Sequence, residues 1–465
     1  MLIKRVFGKI YRGFGFIIEE ILLKNLYVFS YRLNFPKLSA LILALLTKEL
    51  NDKKKYRVLC LGRSIFRSDV LALVKYGNIQ YLYFHKVLLS RCVRYLMAKF
   101  DPLRLGLSNQ RIDTSLIPGY EQSEKKEDVG WEYGVTYHVD PRFKEGREGV
   151  YNYLKIMVPK LIKYLKFDAI MTGNYIYADQ QEFIKICEEN NIPGIVLFKE
   201  GLPQYWNESD MAPANAACKF IGSRILFVND YSKKYELRSL PGLEEKHSIT
   251  VGIPRYDHYI NDKIPVKKKQ ITFFVFSLKE HVRRWPDLER TKAKEIEKIS
   301  EKFVKNIVDF SINNNDYKVI MKLKGSKDYY RGLVDSVLNK HFNGVIIPNL
   351  KITSSESSER LVMSSEVIIS YNCGILFEAV LCDKTIICPD FGNLDFGDYF
   401  DNYPELVNYT NDYDKIEEII FNYQNFKSKN LDKKEDFLEK SMFAMDGKSS
   451  LRSEESIIDA IEERR

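Results

Sequence analysis

The rhythm of apolar and polar positions changes near residue 56. Before it, Ile3, Phe7, Ile10, Phe14, Ile17 and Ile21 recur at alternating spacings of four and three, the stripe of an amphipathic helix, and Lys4, Arg5, Lys9 and Arg12 fall mostly off that stripe. After it, short apolar runs alternate with helical patterns. Residues 56–61, 79–84, 169–172, 194–198 and 224–228 read as buried strands, with helices running to about Tyr76 and over 150–165 and 180–190. Residues 101–148 carry many Gly, Pro and charged positions and read as an irregular insertion. A second series follows, with strands at 271–277, 317–323, 345–348, 367–369 and 385–388. Its helices cover 287–312, 357–363 and 375–381, and three more begin near Tyr413, Asp432 and Ser453. Alternation of this kind predicts an α/β fold built from two Rossmann-like, doubly wound parallel sheets.

The domain limits follow from where the rhythm breaks. Residues 1–50 form a basic amphipathic helical segment, and either of two surfaces suits it: the headgroup region of an anionic membrane or the body of the protein. The apolar run 38–46 is too short to cross a bilayer, and no cleavage site follows a clean apolar core. A first domain then spans 51–260. Residues 261–269 are polar, contain Pro265 and end in three consecutive lysines, which predicts a linker. A second domain spans 270–440, and 441–465 closes the chain with a helix.

Composition narrows the chemistry. The 465 residues are 45% hydrophobic, enough for two cores. A net charge of +8 from 71 basic and 63 acidic residues is mild, suits anionic small substrates or a membrane surface, and lacks the concentrated basic and aromatic array of a nucleic-acid binder. The seven cysteines include no C-x-x-C pair and the six histidines no recognisable ligand spacing, so reduced thiols in the cytoplasm and no protein-built metal centre are expected.

The chemistry gathers at 365–389. An apolar run ends in Ser370, Tyr371, Asn372, Cys373 and Gly374, a short helical pattern follows, and a second apolar run stops at Pro389. Ligands of open parallel sheets collect beyond the carboxyl ends of strands, where a helix that starts there aims backbone N–H groups at an anion. Asn372, Gly374 and Ile375 are placed to do this. Glu378 lies one turn into the helix, where paired carboxylate oxygens suit the two hydroxyls of a ribose. An acid there also complements the helix dipole without any ligand. Lys322 and Lys324 flank a strand exit and Ser277 and Lys279 another, positions suited to a diphosphate or to plain solvation. Glu200, in Lys199-Glu200-Gly201-Leu202-Pro203, is placed at a strand end as a general base or as one half of a solvated Lys–Glu pair.

Four segments together resemble bacterial surface-polysaccharide glycosyltransferases of the GT-B architecture, and within it the CDP-glycerol glycerophosphotransferase-like group. They are Glu200-Gly201-Leu202-Pro203, Val251-Gly252-Ile253-Pro254-Arg255-Tyr256-Asp257, the stretch from Ser364 to Pro389, and Phe443-Ala444-Met445-Asp446-Gly447-Lys448-Ser449-Ser450-Leu451-Arg452. Two departures stand out. Where that group carries histidines, this chain has Glu200 and Lys324, and its aspartate-tyrosine-serine-serine is Ser370-Tyr371-Asn372-Cys373 here.

The resemblance implies two domains facing a cleft, a last helix crossing back to the first domain, and metal-independent transfer of a sugar from a nucleotide-activated donor to a capsule, lipopolysaccharide or lipid-linked glycan. No cofactor beyond the donor is implied. Glu378 is similar to a ribose-binding glutamate, with Arg255 and Lys324 beside the leaving group and Glu200 as the base. The implied setting is the cytoplasm, peripheral to the inner face of the cell membrane through residues 1–50. A glycerophosphotransferase or sugar-nucleotide epimerase of the same fold, and a non-catalytic scaffold of polysaccharide assembly, are the other readings the sequence leaves open.

Overall fold

The computed structural model describes residues 19–62, 64–85, 87–100, 138, 144–198, 218–275, 290–324, 327–392, 400, 402–428 and 431–465. The chain divides into two units, Met1–Arg255 with Met442–Arg465, and Tyr256–Ser441. The first opens with a five-residue π-helical turn, Glu19–Leu23, and two helices, α1 (Lys24–Arg32) and α2 (Pro36–Leu46). Strands β1 (Lys48–Glu49), β2 (Arg57–Gly62), β3 (Gln80–His85), β4 (Ala169–Thr172), β5 (Gly194–Leu197), β6 (Arg224–Phe227) and β7 (Ser248–Thr250) form one sheet in the order β1-β3-β2-β4-β5-β6-β7. Only β1 runs antiparallel to its neighbour. The connections carry α3 (Ser64–Tyr76), α4 (Val87–Phe100), α5 (Lys144–Leu165), α6 (Ala178–Glu189) and α7 (Asp230–Ser239).

Burial on both faces explains why these strands read as continuous apolar runs. Alternate residues divide between two cores. Leu59, Leu61, Leu82 and Phe84 pack under α1, α2, α4 and α5, and Val58, Cys60, Tyr81 and Tyr83 pack on the other side with Val70 and Leu73 of α3. Of the two surfaces open to the N-terminal segment, the body of the protein holds α1 and α2. Tyr27, Tyr31, Ile42 and Leu43 share a core with Tyr153, Leu154 and Met157 of α5. A buried hydroxyl chain, Ser30 to Ser39 at 2.6 Å and Ser39 to Tyr153 at 2.6 Å, ties the three helices together. Most of the Ile3–Ile21 stripe lies outside the described residues.

The second unit starts with α8 (Asp257–Asn261) and then alternates β8 (Gln270–Val275), α9 (Arg290–Asn313), β9 (Lys318–Leu323), α10 (Lys327–Phe342), β10 (Leu350–Thr353), α11 (Ser358–Ser364), β11 (Val367–Ser370), α12 (Ile375–Leu381), β12 (Thr385–Cys388) and β13 (Asn408–Tyr409). Helices α13 (Tyr413–Phe421), α14 (Tyr423–Phe426) and α15 (Leu431–Met442) follow. All neighbours are parallel, in the order β10-β9-β8-β11-β12-β13. Side-chain caps fix several helix starts: the Asp412 carboxylate accepts the Lys415 N–H at 2.9 Å, and the Ser357 hydroxyl accepts that of Arg360 at 3.2 Å. The two doubly wound sheets expected from the alternation are therefore present.

Two expectations are corrected. The strand expected at 345–348 is instead β10, because Val345 and Ile346 are 60% and 89% exposed and the sheet register begins at Leu350 opposite Val319. Residues 261–269 are not a linker. Asn261 closes α8, the Lys267 N–H donates to the Ser364 carbonyl at 2.8 Å, and that of Lys269 to the Glu366 carboxylate at 2.8 Å, so the stretch is fixed to the second unit. The chain leaves the first unit earlier, between Arg255 and Tyr256, and re-enters it at Met442.

Helix α16 (Ser449–Glu462) then packs in the first unit, with Ile457, Ala460 and Ile461 in the core beside Val58 and Leu73. Its start meets Gly252, whose φ of +87° would strain any side chain and where an added Cβ would sit 2.5 Å from the Ser449 hydroxyl. Arg452 donates to the Val251 carbonyl at 3.0 Å and pairs with Asp446 at 2.8 Å. Two of the segments behind the sequence resemblance, around Gly252 and Ser449, thus pack against each other.

Candidate functional site

The strand order of the second unit is that of a dinucleotide-binding sheet. Counting β8 as the first strand gives 3-2-1-4-5-6, and the direction of winding reverses between β8 and β11. In open sheets the ligand crevice lies beyond the carboxyl ends of the strands at this reversal. Here those ends are Val275 and Ser370.

Ser370, Phe274, Lys322 and Thr353 stand in register across β11, β8, β9 and β10, so their side chains share one face in a row at the edge of the sheet. Ser370 is fully buried, with its hydroxyl 3.3 Å from the Cys373 sulfur and 3.5 Å from the Phe274 carbonyl. The next residue points the other way. Tyr371 sinks into the core between Phe273 and Phe303, stacks on Phe391, and burial pushes its phenol well above the usual range. That anchor fixes where the chain emerges.

Asn372, Cys373 and Gly374 are partly exposed at the turn. Burial raises the Cys373 thiol, opposed by its contact with Ser370, the Ile375 N–H and the charge of Lys324. Gly374 has ordinary helical dihedrals, φ −54° and ψ −22°, so the turn does not use the left-handed freedom of glycine. Helix α12 is only seven residues long, and Glu378 is its fourth. The partly exposed Glu378 carboxylate accepts a hydrogen bond from the Tyr259 phenol of α8. Burial first, and then the Glu378 charge, hold that phenol far above its usual pKa, so it stays a donor.

The two lysines of β9 part company. Lys322 is buried, its ammonium donating to the carbonyls of Leu323 at 2.9 Å and Ser354 at 3.2 Å, and burial lowers its pKa. Lys324 is exposed at the strand exit, near enough for its charge to act on the Cys373 thiol. Arg255 belongs to the first unit, where its guanidinium pairs with the buried Asp69 of α3 at 3.1 Å and its backbone N–H donates to the same carboxylate at 3.2 Å. Ser277, Lys279 and Glu200 lie outside the described residues.

The second unit therefore brings Ser370, Asn372, Gly374, Glu378, Lys322 and Lys324 to one end of its sheet. Sequence reasoning missed Tyr259. It follows closely on the Val251–Asp257 motif, but no local periodicity links position 259 to position 378. A second reversal lies in the first unit between β2 and β4, where the sheet ends at Gly62 and Thr172 and the Thr172 hydroxyl donates to the Asn174 carbonyl at 2.9 Å.

Among the described residues no group of three or more His, Cys, Asp or Glu is arranged to hold a metal ion, and no helix is long and apolar enough to cross a membrane. The chain matches no family model and no curated protein. Solved structures similar to it include UDP-GlcNAc 2-epimerase from Neisseria meningitidis bound to UDP-GlcNAc, at 10% identity and a TM-score of 0.45, covering 87% of this chain and 100% of that one. A variant of the wall teichoic acid polymerase TagF is similar at 13% identity and a TM-score of 0.46, covering 95% and 97%. A UDP-forming trehalose-phosphate synthase from Burkholderia xenovorans is similar at 11% identity and 0.39, covering 88% and 99%.

Proposed function

We propose that the second unit binds a nucleotide-activated sugar and that the protein transfers the glycosyl group to a bacterial surface polysaccharide or lipid-linked glycan. One observation carries the donor site: the winding of the sheet reverses at Ser370, and the residues with suitable chemistry, Asn372 to Glu378, follow directly. In this reading the diphosphate lies against the Asn372–Gly374 turn with Lys324 as its nearest cation, and Glu378 accepts the ribose hydroxyls. A carboxylate offers roughly four lone-pair sites, so the Tyr259 phenol orients Glu378 without exhausting its acceptors. Ser277 and Lys279, which follow β8 in sequence, complete the donor set with Lys322 and Ser370. Lys322, already held by two carbonyls, shapes the strand end, and Arg255 is drawn on Asp69.

Glu200 is the candidate base for the acceptor hydroxyl, and the reaction requires no metal in this scheme because the turn and the cations stabilise the leaving diphosphate. Binding of UDP-, CDP-, GDP- and CMP-linked sugars, followed by calorimetry, tests the donor site. Glu378→Ala is expected to weaken the preferred nucleotide by about 2 kcal/mol, the loss of a charge-assisted hydrogen bond, and an unchanged affinity removes the ribose role. Incubating donor without acceptor separates the chemistry. Inversion of a sugar carbon under those conditions decides for an epimerase, and transfer only when a glycan is present decides for the transferase.

A further inference from the structure

Helix α1 is apolar on two sides. Tyr27 and Tyr31 face the core, yet Leu22, Leu26, Phe29 and Leu33, spaced by four, three and four residues, line up on the opposite side. Phe29 is 56% exposed and Leu33 48%. The apolar surface continues through Phe35, 50% exposed, and Leu38 at the start of α2 to Ile156 on α5, 48% exposed. Between these helices lies a groove of about 540 Å³ lined mainly by Phe35, Pro36, Leu38, Leu96, Tyr153 and Ile156, with Lys37 among its walls. A run of large apolar side chains around a groove marks a surface that something else covers.

Charge identifies what covers it. Helices α1, α2, α4 and α5 pack together, and over their residues 24–46, 87–100 and 144–165 they carry eleven lysines and arginines against two acids, Glu145 and Glu148, both in the opening turns of α5. The whole chain has a surplus of only +8, so this one helical layer accounts for all of it. Apolar side chains on a helical layer with so large a basic excess match an anionic lipid surface, where leucine and phenylalanine enter the acyl boundary and lysine meets the headgroups. A nucleic acid would use the cations but gain nothing from Phe29, Leu33 or the groove. We propose that the face formed by α1, the α1–α2 turn and α5 docks on an anionic bilayer, with the groove taking an acyl chain. Docking of this kind needs no spanning helix and stands independently of the sugar-nucleotide reading.

Co-sedimentation of the full chain with vesicles tests it, comparing pure phosphatidylcholine with phosphatidylcholine containing phosphatidylglycerol. Binding is expected to rise with the anionic fraction, to fall with salt, and to drop at least tenfold in a Phe29→Ser, Leu33→Ser, Phe35→Ser variant whose circular dichroism matches the parent. Ile156→Ser alone, on a separate helix, is expected to weaken binding severalfold, which keeps the test open should the triple variant fold poorly. Equal binding of parent and variants, or no preference for anionic vesicles, overturns the proposal. A concentration-dependent dimer abolished by the same substitutions, without vesicle binding, also overturns it and makes the face an interface between two copies.

Discussion

At the scale of single residues, the pair that decides most is Tyr259 and Glu378. A carboxylate in a first helical turn is common, and by itself says only that the helix dipole is complemented. Here the carboxylate is partly exposed and receives a phenol that burial keeps protonated. Such a donor orients an acceptor group before any ligand arrives. Tyr259→Phe is therefore expected to weaken nucleotide binding by about 1 kcal/mol, roughly fivefold, because Glu378 loses the hydrogen bond that orients its carboxylate for the ligand. If the phenol competed with the ligand, the same substitution would tighten binding, so a titration of the variant reads the sign directly. The placement of Ser370, Asn372 and Glu378 around one strand end was legible in the sequence, because they sit within ten residues of one another between an apolar run and a helical pattern. Tyr259 was not, since contact across 119 positions leaves no mark on local periodicity. The buried state of Lys322 was equally hidden, because a lysine flanking a strand looks the same whether its ammonium meets water or carbonyls.

At the scale of elements, α16 shows how a terminal helix is locked to a sheet. Gly252 adopts φ of +87° against the Ser449 hydroxyl, so Gly252→Ala adds both backbone strain and a close contact. Denaturant unfolding is expected to show a loss of about 1–3 kcal/mol, and an unaltered midpoint would mean that Ser449 moves aside without cost. Farther along the helix, both oxygens of Glu454 lie against the Asn78 N–H, at 2.5 and 2.6 Å, and burial raises its carboxyl pKa. A raised carboxyl contributes its stability most fully below the unfolded value, about 4.3, and loses it as pH climbs through the folded value. Glu454→Gln cannot ionise, so its melting temperature relative to the parent is expected to rise from about pH 4.5 towards neutrality. A constant difference across that range would show that the charge carries no penalty. Strands buried on both faces were readable as apolar runs, and β10 was misplaced because a four-residue edge strand with polar alternation competes poorly with the exposed Val345 and Ile346 beside it.

At the scale of the molecule, the two units differ in strand order and in the charge their helices carry. The first has the order 2-1-3-4-5-6 with an added antiparallel edge, and one helical layer of it holds the charge surplus. The second has the dinucleotide-type order and carries the Asn372–Glu378 stretch on which the proposed donor site rests. A ligand stabilises what it binds by RT ln(1 + [L]/Kd), about 2.7 kcal/mol at one hundred times Kd, and amide hydrogen exchange reports where that protection falls. With saturating nucleotide sugar, exchange is expected to slow in β8, β11 and α12 and to stay unchanged in α1 and α2. Anionic vesicles are expected to do the reverse, slowing exchange in α1, α2 and α5 while leaving β11 and α12 alone. The Glu378→Ala variant should lose most of the first pattern and keep the second, and the Phe29→Ser, Leu33→Ser, Phe35→Ser variant should lose the second and keep the first. Nucleotide protection centred on Gly62 and Thr172 instead of Ser370 would move the donor to the other sheet reversal, because the winding argument allows a crevice at each and only the chemistry of the Asn372–Glu378 stretch favours the second unit.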